Sequence, residues 1–380
     1  MIYWDYNATT PCAPEVVAAM ECFWSEEFAN PSSPHLAGKK AARAVATARS
    51  HVASFIECDP GEVVFTSGAT ESNNLIFLGL MLSDERLRRT VVITPVEHKS
   101  VLEPAAFLSE RGFNVVHLPV RKDGVVDIDA ARQLISEDTL LVSVQAANNE
   151  IGTLQPIEEL SRIAHRVGAL FHTDAAQALG KISVDVGAWG CDFASFSSHK
   201  VYGPKGVGAL FVRGGPLKWP WPYPLRGGGQ EGGLRPGTAN VPAIVGFGEA
   251  CRLAASELPK ETSRLLGLRS MLEKAFLARF PNCIIHARHA PRLPGTISLA
   301  IRGISGDMLI ANCQEHCISR GSACNSGSIG NSHVLEQITS DQEVLESTIR
   351  ITLGKRSGIT EVNMLVDCIE NVVERSSFAQ

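Results

Sequence analysis

The sequence predicts an α/β protein whose core is a mostly parallel sheet of seven strands. Short apolar runs alternate with segments of helical periodicity, in the manner of βαβ units. The predicted strands cover residues 62–66, 90–94, 114–118, 139–144, 169–173, 192–197 and 207–213. Helical patterns between them cover residues 70–82, 99–111 and 156–167. We therefore expect helices on both faces of the sheet and functional residues at the carboxyl ends of its strands.

The chain has 380 residues, more than one domain usually contains. From about residue 255 the pattern changes to a long helix over residues 257–280, with strands near 283–286 and 296–301. We expect a large domain at 13–254 and a smaller α+β domain formed by 1–12 and 255–380. Residues 214–240 are rich in Gly, Pro and Trp, which is typical of an irregular loop.

Composition and charge exclude several classes of protein. A net charge of −5 argues against general nucleic-acid binding. The opening MIYWDYNATTP lacks the charged and apolar regions of a signal peptide, and no apolar run approaches the ~18 residues of a membrane span, so we expect a cytoplasmic protein. The ten cysteines include no CxxC pair, and neither a zinc site nor a disulfide framework is predicted. Cys313 and Cys317 lie four apart on a predicted helix, where core packing is favoured over a metal pair.

Lys200 lies just beyond an apolar run, between Ser197, Ser198 and His199 on one side and a glycine-rich turn on the other. An amine held there is a candidate to form a Schiff base with pyridoxal phosphate, provided that burial keeps it partly unprotonated. An ordinary surface lysine is the alternative. The glycines of GPKGVG at 203–208 lead into a strand, and no GxxxxGK[ST] occurs, so neither nucleotide-binding fingerprint is present.

Two further strand ends carry residues suited to the same cofactor. Asp174 follows the strand at 169–173 and is suited to hold a pyridine nitrogen protonated, although it is equally typical of a helix cap. Gly68 forms a tight turn before a helix that begins at Ala69 and Thr70. The backbone N–H groups and hydroxyl there would bind a phosphate, and an ordinary capped helix is the alternative.

Ten segments of the chain, in this order, resemble the cysteine desulfurases of the NifS and IscS group, in the class-V aminotransferase family. The segments are YNATTP at 6–11, NPSSPH at 30–35, SGATESNN at 67–74, EHKSVLEP at 97–104, NNEIGTLQPI at 148–157, HTDAAQ at 172–177, SFSSHKVYGPKGVGAL at 195–210, GGGQEGGLRPGT at 227–238, RGSACNSGS at 320–328 and STIRITLGK at 347–355. The resemblance covers nearly the whole chain. It implies a pyridoxal-phosphate enzyme of fold type I that works as a homodimer.

The resemblance also implies roles for the residues around the cofactor. His98 matches the histidine that stacks on the ring and is a candidate acid or base. Asn149 and Gln177 match contacts to the phenolic oxygen, and Asn149 is also expected to help orient the substrate. The residues matched to the phosphate are Ala69, Thr70, Ser197, His199 and, reaching the phosphate of a second subunit, Thr238. For His199, a packed core histidine is the alternative.

Cys324 lies in a Gly- and Ser-rich stretch, where a thiol is accessible. On the loop alone an incidental thiol is favoured, but within the resemblance Cys324 matches the nucleophile, on a mobile loop at about 321–333. The family mechanism implies that L-cysteine displaces Lys200, which then moves the α-proton, while Arg350 grips the substrate carboxylate. Cys324 takes the sulfur as a persulfide, alanine leaves, and an acceptor protein docks near the loop. Iron–sulfur cluster assembly, tRNA or cofactor thiolation and DNA phosphorothioation remain open as destinations.

Some positions depart from the family pattern or carry no assigned role. Gly232 replaces a common arginine, and Arg320 stands where serine is frequent. An arginine beside Cys324 would lower the pKa of that thiol. Asn7 and His35 fall in family motifs without an assigned role. The alternatives are a selenocysteine lyase, a small aminotransferase, which needs no thiol, and an inactive docking scaffold, which would be free to lose this set of residues.

Overall fold

The computed structural model describes residues 1–83, 88–321 and 331–377. The strands are β1 (Ile2–Tyr3), β2 (Val63–Thr66), β3 (Thr90–Ile93), β4 (Asn114–His117), β5 (Thr139–Ser143), β6 (Leu170–Asp174), β7 (Phe193–Ser197), β8 (Gly208–Val212), β9 (Ile284–Ile285), β10 (Thr296–Ala300), β11 (His316–Cys317) and β12 (Thr348–Thr352). The helices are α1 (Pro14–Ser25), α2 (Leu36–Phe55), α3 (Ala69–Met81), α4 (Lys99–Glu110), α5 (Ile128–Leu134), α6 (Ile157–Arg166), α7 (Val241–Arg279), α8 (Gly306–Asn312), α9 (His333–Ile338), α10 (Gln342–Ser347) and α11 (Ile359–Ser377).

The largest sheet has seven strands in the order β2-β8-β7-β6-β5-β3-β4. Strands β4, β3, β5, β6 and β7 pair in parallel, whereas β8 pairs antiparallel with both β7 and β2. Each of the seven predicted strands is present, so the predicted fold class is confirmed. The carboxyl ends of the parallel strands meet at one edge, which is where the predicted site residues were expected.

Both faces of this sheet are buried, as two residues on opposite faces of β7 show. Phe193 packs in a cluster with Leu75 of α3 and Val101 of α4. Phe196 packs in another cluster with Val52 of α2 and Phe247 of α7. Because successive side chains of a strand point to opposite faces, a continuous apolar run is what a strand covered by helices on both sides requires.

A second hydrophobic cluster forms around a three-stranded antiparallel sheet, in the order β12-β10-β9. It contains Ile297 of β10, Ile349 of β12 and Leu365 of α11, while β1 and β11 form a separate parallel pair. Helix α7 contributes Phe247 to the first cluster and Leu272 to the second. The proposed domain boundary near residue 254 falls inside this helix, and the division itself stays a prediction.

Two details of the sequence analysis need correction. The long helix begins at Val241 rather than near residue 257, because the Asn240 side chain accepts a hydrogen bond from the Ala243 N–H and caps it. Cys313 and Cys317 do not share a helix: Cys313 follows α8 as its cap, and Cys317 lies in β11. Within the described ranges, no helix is long and apolar enough to cross a membrane, and no three His, Cys, Asp or Glu side chains are grouped to hold a metal ion.

Candidate active site

Lys200 ends a single 3-10 turn, Ser198–Lys200, that follows directly on β7. Its Nζ donates to the backbone oxygens of Asn7, at 2.6 Å, and Ala8, at 2.9 Å. Gly203 closes the turn, and a Cβ there would lie 2.0 Å from Ser198 Oγ, so any larger residue would force Ser198 to move. The turn therefore aims the amine from the sheet edge towards the N-terminal segment.

A cavity of about 220 Å³ opens at this edge of the sheet. Its lining includes ten of the predicted site residues: Ala69, Thr70, His98, Asn149, Asp174, Gln177, Ser197, His199, Lys200 and Arg350. Thr238 lines a separate cavity beside Glu231. Cys324 lies outside the described residues, as does most of the predicted loop at 321–333. One chain thus gathers most of the predicted site but not Thr238.

Asp174 lies at the end of β6 and is buried. Its Oδ1 accepts from the Ala176 N–H at 3.0 Å and its Oδ2 from Asn73 Nδ2 at 2.8 Å. Two residues earlier, the buried His172 ring is held between the hydroxyls of Ser143 and Ser195, at 2.7 and 3.0 Å. Burial lowers the pKa of His172 to about 4, so the imidazole is neutral at pH 7 and does not cancel the Asp174 charge.

His98 is connected to Asp174 through two side chains that the sequence analysis did not single out. His98 Nδ1 accepts from the Ser100 N–H at 3.1 Å and lies 2.8 Å from Ser100 Oγ. Ser100 Oγ in turn accepts from Asn73 Nδ2, at 2.8 Å, and the same Nδ2 donates to Asp174. Asn73 and Ser100 both lie in segments that resemble the family, but only the structure shows that they link His98 to Asp174. Because Nδ1 accepts the backbone N–H, the neutral ring carries its proton on Nε2.

The start of α3 lies against the end of β7. The Ala69 N–H donates to Ser197 Oγ at 2.8 Å, and Gly68 takes φ +153°, a backbone conformation that suits glycine. Thr70 lines the cavity in the first turn of the helix. The positive end of the α3 dipole therefore faces the cavity, as an anion site requires.

His199 Nδ1 lies 3.1 Å from Thr9 Oγ1. Burial first, and then the charge of Lys200, lower the pKa of His199 to about 4. The ring is therefore neutral at pH 7 and acts as a hydrogen-bonding group rather than as a cation.

Arg350 of β12 closes the opposite side of the cavity, with only 3% of its side chain exposed. Its Nη2 pairs with Asp5 Oδ1 at 2.6 Å, and its Nη1 donates to the backbone oxygens of Asn149 and Gly321 at 3.0 and 2.9 Å. Arg350 Nε is buried without a hydrogen-bond partner among the described residues. A buried donor of this kind is suited to donate a hydrogen bond to a ligand carboxylate.

The two positions that depart from the family pattern have local explanations. Gly232 takes φ +65°, and a Cβ there would lie 2.6 Å from Pro216 Cγ, so a side chain is disfavoured. Arg320 Nη1 pairs with Asp307 at 3.0 Å, and its Nη2 donates to the Leu345 oxygen. Its predicted effect on Cys324 stays a prediction, because that thiol lies outside the described residues.

Comparison with known proteins shows the family to which this chain belongs. The model of the family described as aminotransferase class-V matches residues 2–365. A cysteine desulfurase IscS from Dictyoglomus turgidum is 40% identical over 98% of this chain and 95% of its own length. A solved NifS-like protein superposes with a TM-score of 0.90 at 37% identity, over 98% of this chain and 99% of the other. A solved structure of SspA in complex with cysteine superposes with a TM-score of 0.82 at 35% identity, over 93% and 99%. The chain therefore belongs to the class-V aminotransferase family, among the cysteine desulfurases of the NifS and IscS group.

Proposed function

We propose that this protein is a cysteine desulfurase that uses pyridoxal phosphate to remove the sulfur of L-cysteine. The observation that carries the proposal is one cavity in which the Lys200 amine, the Asp174 carboxylate and the Arg350 guanidinium meet. The amine can react with the aldehyde of the cofactor, and the carboxylate can pair with its protonated pyridine nitrogen. The guanidinium can bind the carboxylate of an amino acid. A selenocysteine lyase or an aminotransferase of the same family would share all three, because their substrates carry the same carboxylate, but an aminotransferase would not need the Cys324 thiol.

The chemistry of these groups fits the cofactor. The turn between β2 and α3, with the Thr70 hydroxyl and the Ser197 side chain nearby, offers a phosphate its donors. Asp174 is fixed by two donors and remains an acceptor for a protonated ring nitrogen. His98 borders the same space. When bound, pyridoxal phosphate supplies an electron sink for the substrate α-carbon.

The residues of this chain have separable tasks in the reaction. Arg350 binds the L-cysteine carboxylate through Nε and orients the substrate, while Asp5 keeps the guanidinium in place. Lys200 Nζ, at the edge of the cavity, takes and returns the proton of the α-carbon. His98 holds a proton on Nε2 that it can donate. Asn149 helps to orient the substrate and the phenolic oxygen of the cofactor, and Gln177 faces the phenolic oxygen.

Cys324 completes the reaction as the acceptor of sulfur. Its thiolate attacks the substrate sulfur, so that the carbon–sulfur bond of cysteine breaks and a sulfur–sulfur bond forms on the enzyme. The carbon takes the electron pair and a proton, and the products are alanine and the Cys324 persulfide. An acceptor protein that approaches the loop then removes the terminal sulfur by attack of its own thiolate.

Quaternary structure, location and pathway stay predictions. Thr238 lines a cavity apart from that of Lys200, which agrees with a homodimer in which Thr238 serves the second subunit's phosphate site. We expect the protein in the cytoplasm. The acceptor protein decides between iron–sulfur assembly, thiolation and phosphorothioation.

Turnover of L-cysteine by the purified protein with pyridoxal phosphate tests the proposal. We expect equal amounts of alanine and persulfide sulfur, and neither product from Lys200→Ala or Cys324→Ala. Alanine formed by Cys324→Ala would point to a lyase instead. No turnover by the wild type, with a reducing thiol present to discharge the persulfide, would contradict the proposal.

A further inference from the structure

Lys181 is a second lysine at the Lys200 site, and neither the family motifs nor the mechanism above uses it. Lys181 and Lys200 both line a small cavity of about 40 Å³ behind the main one. Burial first, and then the charges of Lys200 and Arg350, hold the pKa of Lys181 well below its usual value. No carboxylate among the described residues forms an ion pair with it. Lys181 is partly buried, and an amine withdrawn from water without a counter-ion is costly, so its position requires an explanation.

The Lys181 amine contacts the side-chain oxygens of two amides. Its Nζ donates to Asn7 Oδ1 at 2.8 Å and to Gln177 Oε1. The backbone oxygen of Asn7 is also the acceptor for Lys200 Nζ, at 2.6 Å, and for Gln177 Nε2, at 2.8 Å. Lys181 therefore bonds directly to Asn7, which holds the catalytic amine, and to Gln177, which donates to the same backbone oxygen of Asn7.

The contact decides which way each amide faces. A side-chain amide has an accepting end and a donating end, and an amine that donates can bind only the oxygen. With Oε1 held by Lys181, Gln177 must present its N–H groups on the other side, next to Lys200. Asn7, held in the same way, donates from Nδ2 to Thr296 Oγ1 at 3.0 Å and to the Asn149 oxygen at 3.1 Å.

The second consequence is electrostatic. The charge of Lys200 is, after burial, one of the causes that hold the pKa of Lys181 below its usual value, and the repulsion between two like charges is mutual. An unprotonated Lys200 amine is the form that attacks an aldehyde, and a neighbouring cation is one established way to favour it.

We propose that Lys181 is a positioning residue of the Lys200 site. It orients Gln177 so that the amide N–H faces the phenolic oxygen of the cofactor. The inference rests on the proposed function, since it assumes that pyridoxal phosphate binds at Lys200.

The test measures the cofactor itself rather than turnover. Pyridoxal phosphate is titrated into each protein, and the absorbance of the bound cofactor is then followed against pH. In Lys181→Met we expect about tenfold weaker binding and a pH midpoint raised by about one unit, since both a nearby positive charge and an N–H donor to the phenolic oxygen are lost. Lys181→Arg retains charge and donors, and the cavity behind it offers room, so its midpoint should stay near that of the wild type.

Lys355→Met is the matched control. Lys355 lines the same rear cavity but pairs with Glu257 and bonds neither Asn7 nor Gln177, so binding and midpoint should be unchanged. In addition, Gln177→Met should lose most of the affinity for pyridoxal phosphate that Lys181→Met loses. The double variant should bind the cofactor only slightly more weakly than either single variant.

The outcomes separate the inference from the function on which it rests. If the wild type binds no pyridoxal phosphate, the proposed function fails. If the wild type binds pyridoxal phosphate and Lys181→Met has the wild-type affinity and pH midpoint, Lys181 has no positioning role. The same holds if the affinity losses of Lys181→Met and Gln177→Met add in the double variant. Thermal unfolding checks that the variants are folded, and Lys181→Gln replaces Lys181→Met if that variant is not.

Discussion

The two walls of the cavity are built in different ways. The wall that carries Asp174, Ser197 and Lys200 consists of strand ends of the seven-stranded sheet: Asp174 ends β6, Ser197 ends β7, and Lys200 ends the turn that follows β7. The wall that carries Arg350 is assembled from distant parts of the chain: Arg350 pairs with Asp5 across 345 positions. The first wall suits a permanently bound cofactor, since local turns fix it. The second suits a substrate that comes and goes, because Arg350 Nε has no hydrogen-bond partner in the part of the chain that the structure describes.

The largest effect is expected on the first wall. Lys200→Ala removes both the amine for the aldehyde and the base for the α-proton, and should lower kcat by about 10⁴-fold. Lys205→Ala, in the exposed turn that follows, should keep near wild-type activity. A Lys200→Ala protein with more than a tenth of wild-type turnover would show that another group carries the chemistry.

The second wall should respond mainly through substrate binding. Arg350→Met removes the fork and leaves the carboxylate of Asp5 without its partner, so kcat/KM for L-cysteine should fall by about 100-fold, largely through KM. Arg350→Lys should recover little, because an ammonium cannot bond in the same planar way. Affinity for pyridoxal phosphate should change little in either variant. A loss of cofactor affinity as large as the loss in kcat/KM would contradict the proposal that the first wall binds the cofactor and the second binds the substrate.

A smaller effect is expected beneath the first wall. Asn73 links Asp174 to Ser100, so Asn73→Leu should weaken binding of pyridoxal phosphate by about tenfold. Asn74→Leu is its control, because Asn74 Nδ2 donates instead to the Thr70 oxygen. Absorbance titration measures both. Equal affinities for the two variants would mean that the link has no function.

The smallest effect concerns stability rather than activity. His172 is neutral in the folded protein, with a pKa lowered by burial from 6.5 to about 4. As pH falls below 6.5 the unfolded chain takes up a proton first, so this histidine should lower the free energy of unfolding by ~2 kcal/mol between pH 7 and pH 5. Urea unfolding at both pH values should show a smaller loss in His172→Gln than in the wild type. The exposed His117→Gln should behave as the wild type does, and an unchanged loss in His172→Gln would contradict the assignment.

The sequence predicts those parts of the site that depend on local signals better than those that depend on contacts between distant residues. The seven strands and the places of Thr70, Asp174 and Lys200 were predictable, because apolar runs and the turns after them are local signals. The Asp5 pairing and the Asn73–Ser100 link were not, because they depend on contacts between residues far apart in sequence. Cys313 and Cys317 were wrongly placed on one helix, since their spacing gave no sign that α8 ends at Asn312.

The central claim is that the first wall holds pyridoxal phosphate on Lys200. Reduction of the cofactor-loaded protein with borohydride, followed by peptide mapping by mass spectrometry, tests it most directly. We predict a stable pyridoxyl adduct on the peptide that contains Lys200, with Lys181 unmodified. An adduct on Lys181 or on other lysines only, or no adduct at saturating cofactor, would contradict the account.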